Sequence, residues 1–112
     1  MATKSNISFY RENTVSIALV FAGVDLTGAT VSLTVKRDYD DDQTDSSAVI
    51  ARDVTSHDDA ANGKTTVVLT PADTDVTPDS YVYDIRLKKS SGDMTTVATG
   101  KCVVRDVVTL RA

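Results

Sequence analysis

The hydrophobic positions of this chain alternate instead of recurring at helical spacing. Tyr81, Tyr83, Ile85 and Leu87 take every second place, with Val82, Asp84, Arg86 and Lys88 between them. A period of two puts one face of a strand in a core and the other in water. Val31, Leu33 and Val35 alternate in the same way with Thr30, Ser32, Thr34 and Lys36, and Thr65, Val67 and Leu69 form a further inward face. Val15, Ile17, Leu19 and Phe21 share one face of a long strand, while Ser16, Ala18, Val20 and Ala22 make a mixed second face. That mixed face predicts a central, partly covered strand. Short strands are also predicted at Ile7 to Phe9, Ser47 to Arg52 and Met94 to Thr99, followed by Cys102 and Val104. No helix-period pattern exceeds one turn.

Turn chemistry separates these runs. Arg11 to Asn13, Gly23 with Asp25, Asn62-Gly63, Thr77 to Ser80 and Lys89 to Asp93 all read as turns, the last closing a hairpin. Thr70-Pro71-Ala72-Asp73 has a capping hydroxyl, a proline at the first helical position and a carboxylate near the exposed amides, which predicts a single helical turn. Gly100 reads as a bulge or tight bend. The polar run Arg37 to Ser47 reads as a loop between strands. The whole predicts one domain over residues 1–112, an all-β, immunoglobulin-like antiparallel β-sandwich of about seven strands, with a small barrel as the competing architecture. A corner followed at once by Tyr81 and Tyr83 predicts a tyrosine corner, carried by one of the two.

Composition adds exclusions. The 112 residues are 41% hydrophobic and 25% charged, values of an ordinary globular domain large enough for one core. The net charge of −4 argues against a nucleic-acid partner, because phosphate binding rests on clustered Lys and Arg. The N-terminal text MATKSNISFYRENT lacks the apolar stretch of a signal peptide, and no run is long enough to span a bilayer; synthesis in a cytoplasm is expected, without a membrane segment.

Candidate chemistry is sparse, and a non-enzymatic protein without cofactor is expected. Asp38, Asp40 and Asp42, with Asp41 and Asp45, are candidate cation ligands. The calcium-loop template fails on them, because from Asp38 the sixth place is Gln43 where Gly is needed and the twelfth is Val49 where a Glu should stand. A solvated loop is the expectation. His57, the one histidine, reads as a surface residue with neither zinc partners nor a nucleophile in a turn that would present it. Cys102 among valines reads as core.

The order of four segments, ISFYRENTVSIALVF, DLTGATVSLTVKRD, NGKTTVVLTPADTD and SYVYDIRLKKSSGDMTTVATGKCVVRDVVT, resembles the immunoglobulin-like domains of tailed-bacteriophage virion proteins. Such domains form the N-terminal part of phage baseplate upper proteins and of related head or tail accessory proteins. The match covers nearly the whole chain. Ser80 departs from the glycine common before the Tyr-x-Tyr strand, and the long distal region of many relatives has no counterpart before Ala112. The resemblance implies a structural virion component, either a capsid decoration or head-fibre base, or a neck, tail or baseplate adaptor. It implies docking on other virion proteins in symmetric, multi-copy or homo-oligomeric assembly. Expected docking segments are the arm Met1 to Ser5, the segment Val107 to Ala112 and the edge strands. A carbohydrate or cell-surface binding module on the same sandwich is the alternative.

Overall fold

The computed structural model describes residues 3–21, 23–37 and 48–108. In these, eight strands follow in chain order: β1 (Thr3–Lys4), β2 (Ile7–Tyr10), β3 (Val15–Val20), β4 (Thr30–Lys36), β5 (Ile50–Val54), β6 (Lys64–Leu69), β7 (Asp79–Lys88) and β8 (Met94–Arg105). One sheet runs β1-β8-β7-β4-β5, with β2 also paired to β8, and the second sheet is β3-β6. This is an immunoglobulin-like sandwich: the last four strands of the path take the G-F-C-C′ order, and β3 and β6 stand where strands B and E stand.

Alternation decides the faces. In β4 and β7 the odd-numbered residues Val31, Leu33, Val35, Tyr81, Tyr83, Ile85 and Leu87 are buried, and Leu26, Val67, Leu69, Cys102 and Val104 close the same core. The even-numbered residues of β4 and β7 look outward. Register follows from the pairing of like faces, with Leu33 opposite Ile85 and Tyr81 opposite Cys102.

One edge departs from the antiparallel expectation. β1 and β2 run parallel to β8, Thr3 opposite Ala98 and Phe9 opposite Val104. No hairpin joins them to β8, and contacts between residues remote in sequence hold them there. The Ser5 amide donates to the Thr99 carbonyl at 2.9 Å, and the Lys101 amide donates to Asn6 Oδ1 at 3.1 Å. The asparagine side chain thus takes a ladder position that a backbone carbonyl would fill.

The predicted bulge lies elsewhere on β8. Ile85 faces Ala98 and Arg86 faces Thr96, which leaves Val97 as the extra residue of a β-bulge. Gly100 stays in the ladder opposite Tyr83, and a β-carbon there would collide with the Ser5 carbonyl oxygen. The hairpin loop forms at the predicted place, with the Lys89 amide on the Asp93 carbonyl at 2.8 Å. β5 occupies Ile50–Val54, shifted from the predicted Ser47 to Arg52.

At the Thr70 corner one helical turn forms as its sequence requires. The Thr74 amide donates to the Thr70 carbonyl at 3.1 Å, and Asp73 Oδ2 accepts from the Thr70 amide at 2.8 Å. Thr74, fully buried, donates its hydroxyl to the Asn13 carbonyl at 2.7 Å and so ties the corner to the turn after β2. Arg11 reinforces the same junction through Asp75 at 2.7 Å.

Candidate interaction surfaces

The residues singled out in the sequence fall into separate places. Tyr81 donates its hydroxyl to the Thr77 carbonyl, four residues upstream, at 2.5 Å, which is the geometry of a tyrosine corner. Burial pushes its phenol above the ordinary value, and the Arg37 guanidinium 5.7 Å over the ring opposes this. Tyr83 does a different job, donating to the Ser5 carbonyl at 2.5 Å and fastening the N-terminal strand to the core. Both hydroxyls sit on structural bonds inside the sandwich.

His57 is not the surface histidine that its polar neighbours suggest. Its Nε2 lies 2.8 Å from the Ala29 carbonyl and its Nδ1 lies 2.9 Å from Thr65 Oγ1. A carbonyl only accepts, so Nε2 carries the proton, and the nearly fully buried Thr65 hydroxyl donates to Nδ1 when the ring is neutral. The imidazole is a strut between β6 and the entrance to β4. Cys102 is fully buried, and burial pushes its thiol up to about 11, the reverse of what a nucleophile needs.

Asp38, Asp40 and Asp42 lie outside the described residues, as do Met1, Ala2 and residues 109–112. Among the described residues no group of three or more His, Cys, Asp or Glu side chains is placed to hold a metal ion. In the same residues no helix is long and apolar enough to cross a membrane. Of the expected N-terminal docking arm, Thr3 and Lys4 are engaged as β1 and Ser5 is bonded to Thr99 and Tyr83. Val108 is fully exposed.

Two surfaces of the described residues stand out. The first is a trough of about 490 Å³ on the outer face of the large sheet. Its floor is the short side chains Ser32 and Thr34 of β4, and its walls include Lys36, Asp84, Arg86 and Lys88. Small hydroxyls between long charged side chains make a concave polar surface. The second is the open edge of β3. Among the described residues that strand pairs with β6 alone, Val15 opposite Leu69 through Val20 opposite Lys64. The position corrects the expectation of a central strand: Ser16, Ala18 and Val20 are exposed, Val20 to 66%, and Val15, Ile17 and Leu19 are only half-buried.

Backbone groups along an antiparallel strand alternate between its two sides. The Phe21 amide points to β6, donating to the Gly63 carbonyl at 2.8 Å. By that alternation the N–H and C=O groups of Ser16, Ala18 and Val20 point away from β6, where no described strand meets them. Sequence reasoning found the strand and its faces but missed its edge position, because a mixed second face has the same text whether a neighbouring strand is present or not.

Neither a protein-family model nor a curated protein sequence matches this chain.

Proposed function

We propose that this protein is a non-enzymatic structural component of a tailed-phage virion, docking as one of many copies on a symmetric protein assembly. The open edge of β3 carries the reading: a strand whose outer backbone groups meet no other strand among the described residues, and which has no charged side chain, is a template for another strand. Edge strands that must stay alone are usually guarded by lysine, proline or a bulge. VSIALV has none of these. The order of its strand and turn motifs, which resembles virion sandwich domains, supports the phage context. The tyrosine corner and the Tyr83 tie to Ser5 supply the rigidity a lattice part needs. Mass spectrometry of purified particles of the phage encoding the chain tests this. Stoichiometric copies per particle are expected, and a chain found free in lysate but absent from particles overturns the proposal.

The trough favours a second reading, a carbohydrate or cell-surface binding module. Hydroxyls and charged groups lining one concavity suit an acidic sugar. Glycan-array binding that Arg86→Ala abolishes would support it, and an array without signal removes it.

A further inference from the structure

The edge of β3 is not only open but self-complementary, and we infer that it pairs antiparallel with β3 of a second copy across a two-fold axis at Ala18. The inference rests on the docking reading above and names its first partner. Three residues present backbone groups to the open side, Ser16, Ala18 and Val20, and they are spaced symmetrically about Ala18. A two-fold axis there sets Ser16 against Val20 of the second copy and Ala18 against Ala18. About six backbone hydrogen bonds result when each of these facing pairs exchanges two.

The side chains fit the same axis. On the inner face the register sets Val15 against Phe21 and Ile17 against Leu19, so every cross-strand pair is apolar. These four residues, all only partly buried in one copy, become the middle of a continuous apolar row. On the outer face Ser16, Ala18 and Val20 are small and uncharged, so no like charges meet at the axis. Lys64, opposite Val20 on β6, lies one strand away from the axis in each copy.

The result is a four-stranded sheet, β6-β3-β3-β6, in which β3 holds the central place that its mixed faces predict. The contact is isologous, so one pairing uses both edges and closes without propagating into a fibre. A six-residue edge buries less than the roughly 1,200 Å² of stable interfaces. Weak pairing in solution, reinforced by multiple copies on an assembly, is therefore expected.

Thiol trapping of the purified chain tests the axis. In a hydrogen-bonded antiparallel pair the facing α-carbons are about 5.5 Å apart, inside the roughly 4.4–6.8 Å range of disulfides. Ala18→Cys treated with oxidised glutathione is expected to form a disulfide dimer at least roughly tenfold faster than Val68→Cys, since paired thiols share a millimolar effective concentration. Val68 is an exposed neighbour on β6 that lies off the axis. The native Cys102 is buried and serves as an internal blank. Ala18→Lys, which opposes two like charges, is expected to abolish self-association in sedimentation experiments and to leave the unfolding midpoint unchanged. Equal cross-linking rates for the two cysteine variants, or Ala18→Lys protein that associates like the wild type, overturn the inference. Cross-linking of Ala18→Cys to a different protein in place of its own copy also overturns it. Absence of the chain from particles would remove the virion reading and leave the thiol result standing, so the two failures are separable.

Discussion

The two sheets of this molecule are finished to different degrees. In the large sheet β4 and β7 each have a neighbour on both sides, and their inward residues, such as Leu33 and Val31, are fully buried. In the small sheet β3 has one neighbour among the described residues, and its inward residues Val15, Ile17 and Leu19 are half-buried although their side chains are as apolar. The same alternating text thus yields a sealed core in one layer and an incomplete one in the other. A region whose hydrophobic pattern exceeds the burial the fold provides is where a partner is to be sought.

The largest effect that can break this comparison is a cavity. Leu33→Ala should cost about 2–5 kcal/mol in urea denaturation, because a fully buried leucine leaves both lost transfer energy and a void. Ile17→Ala, at a half-buried site, should cost about half as much or less in the dilute protein. Equal costs would mean that the small sheet is sealed after all.

Next comes the close approach at the N-terminal edge. Gly100→Ala forces a methyl against the Ser5 carbonyl and should cost roughly 1–3 kcal/mol, with faster exchange of the Ser5 amide. A smaller loss, about 0.5–1.5 kcal/mol each, is expected for Tyr81→Phe and Tyr83→Phe, each of which deletes one hydroxyl bond to a backbone carbonyl. The two should differ in place: only Tyr83→Phe should speed exchange in the β1 region, read by amide exchange.

The smallest expected effect is one of pH. The bond from the Thr70 amide holds the Asp73 carboxyl below its ordinary value. A group depressed in the folded state stabilises above its unfolded value of about 3.9, and that contribution is lost as pH falls through the lower folded value. Wild type should therefore melt above Asp73→Asn near neutrality, and the gap should close well below pH of about 3.9. A gap that persists in acid would show that the bond does not depend on the charge.

Much of the large sheet was legible in the sequence. β4 and β7 announce themselves because each has one apolar and one largely polar face, and the Tyr81 corner follows from the turn just before it. What stayed hidden depends on contacts remote in sequence. The parallel pairing of β2 with β8 is set by Ser5 and Asn6 meeting residues about ninety positions away. Local text says nothing of that. His57 looks solvated among Asp58 and Asp59, yet its partners are Ala29 and Thr65. Gly100 signals a backbone need but not which one, and the need is room for Ser5 while the bulge falls at Val97. Of the docking surfaces, the faces of β3 were visible and its vacancy was not, since edge or centre is decided by which strands fold beside it.

The pattern of amide exchange along β3 tests the central claim most directly, followed by NMR from dilute to concentrated protein. In the dilute chain the amides of Ile17 and Leu19 should be protected by β6, while those of Ser16, Ala18 and Val20 exchange rapidly. With rising concentration the latter three should gain protection together, the mark of a second strand on the open edge. Protection of all five in dilute solution would show an edge already covered, and three amides that stay fast at every concentration would contradict the pairing.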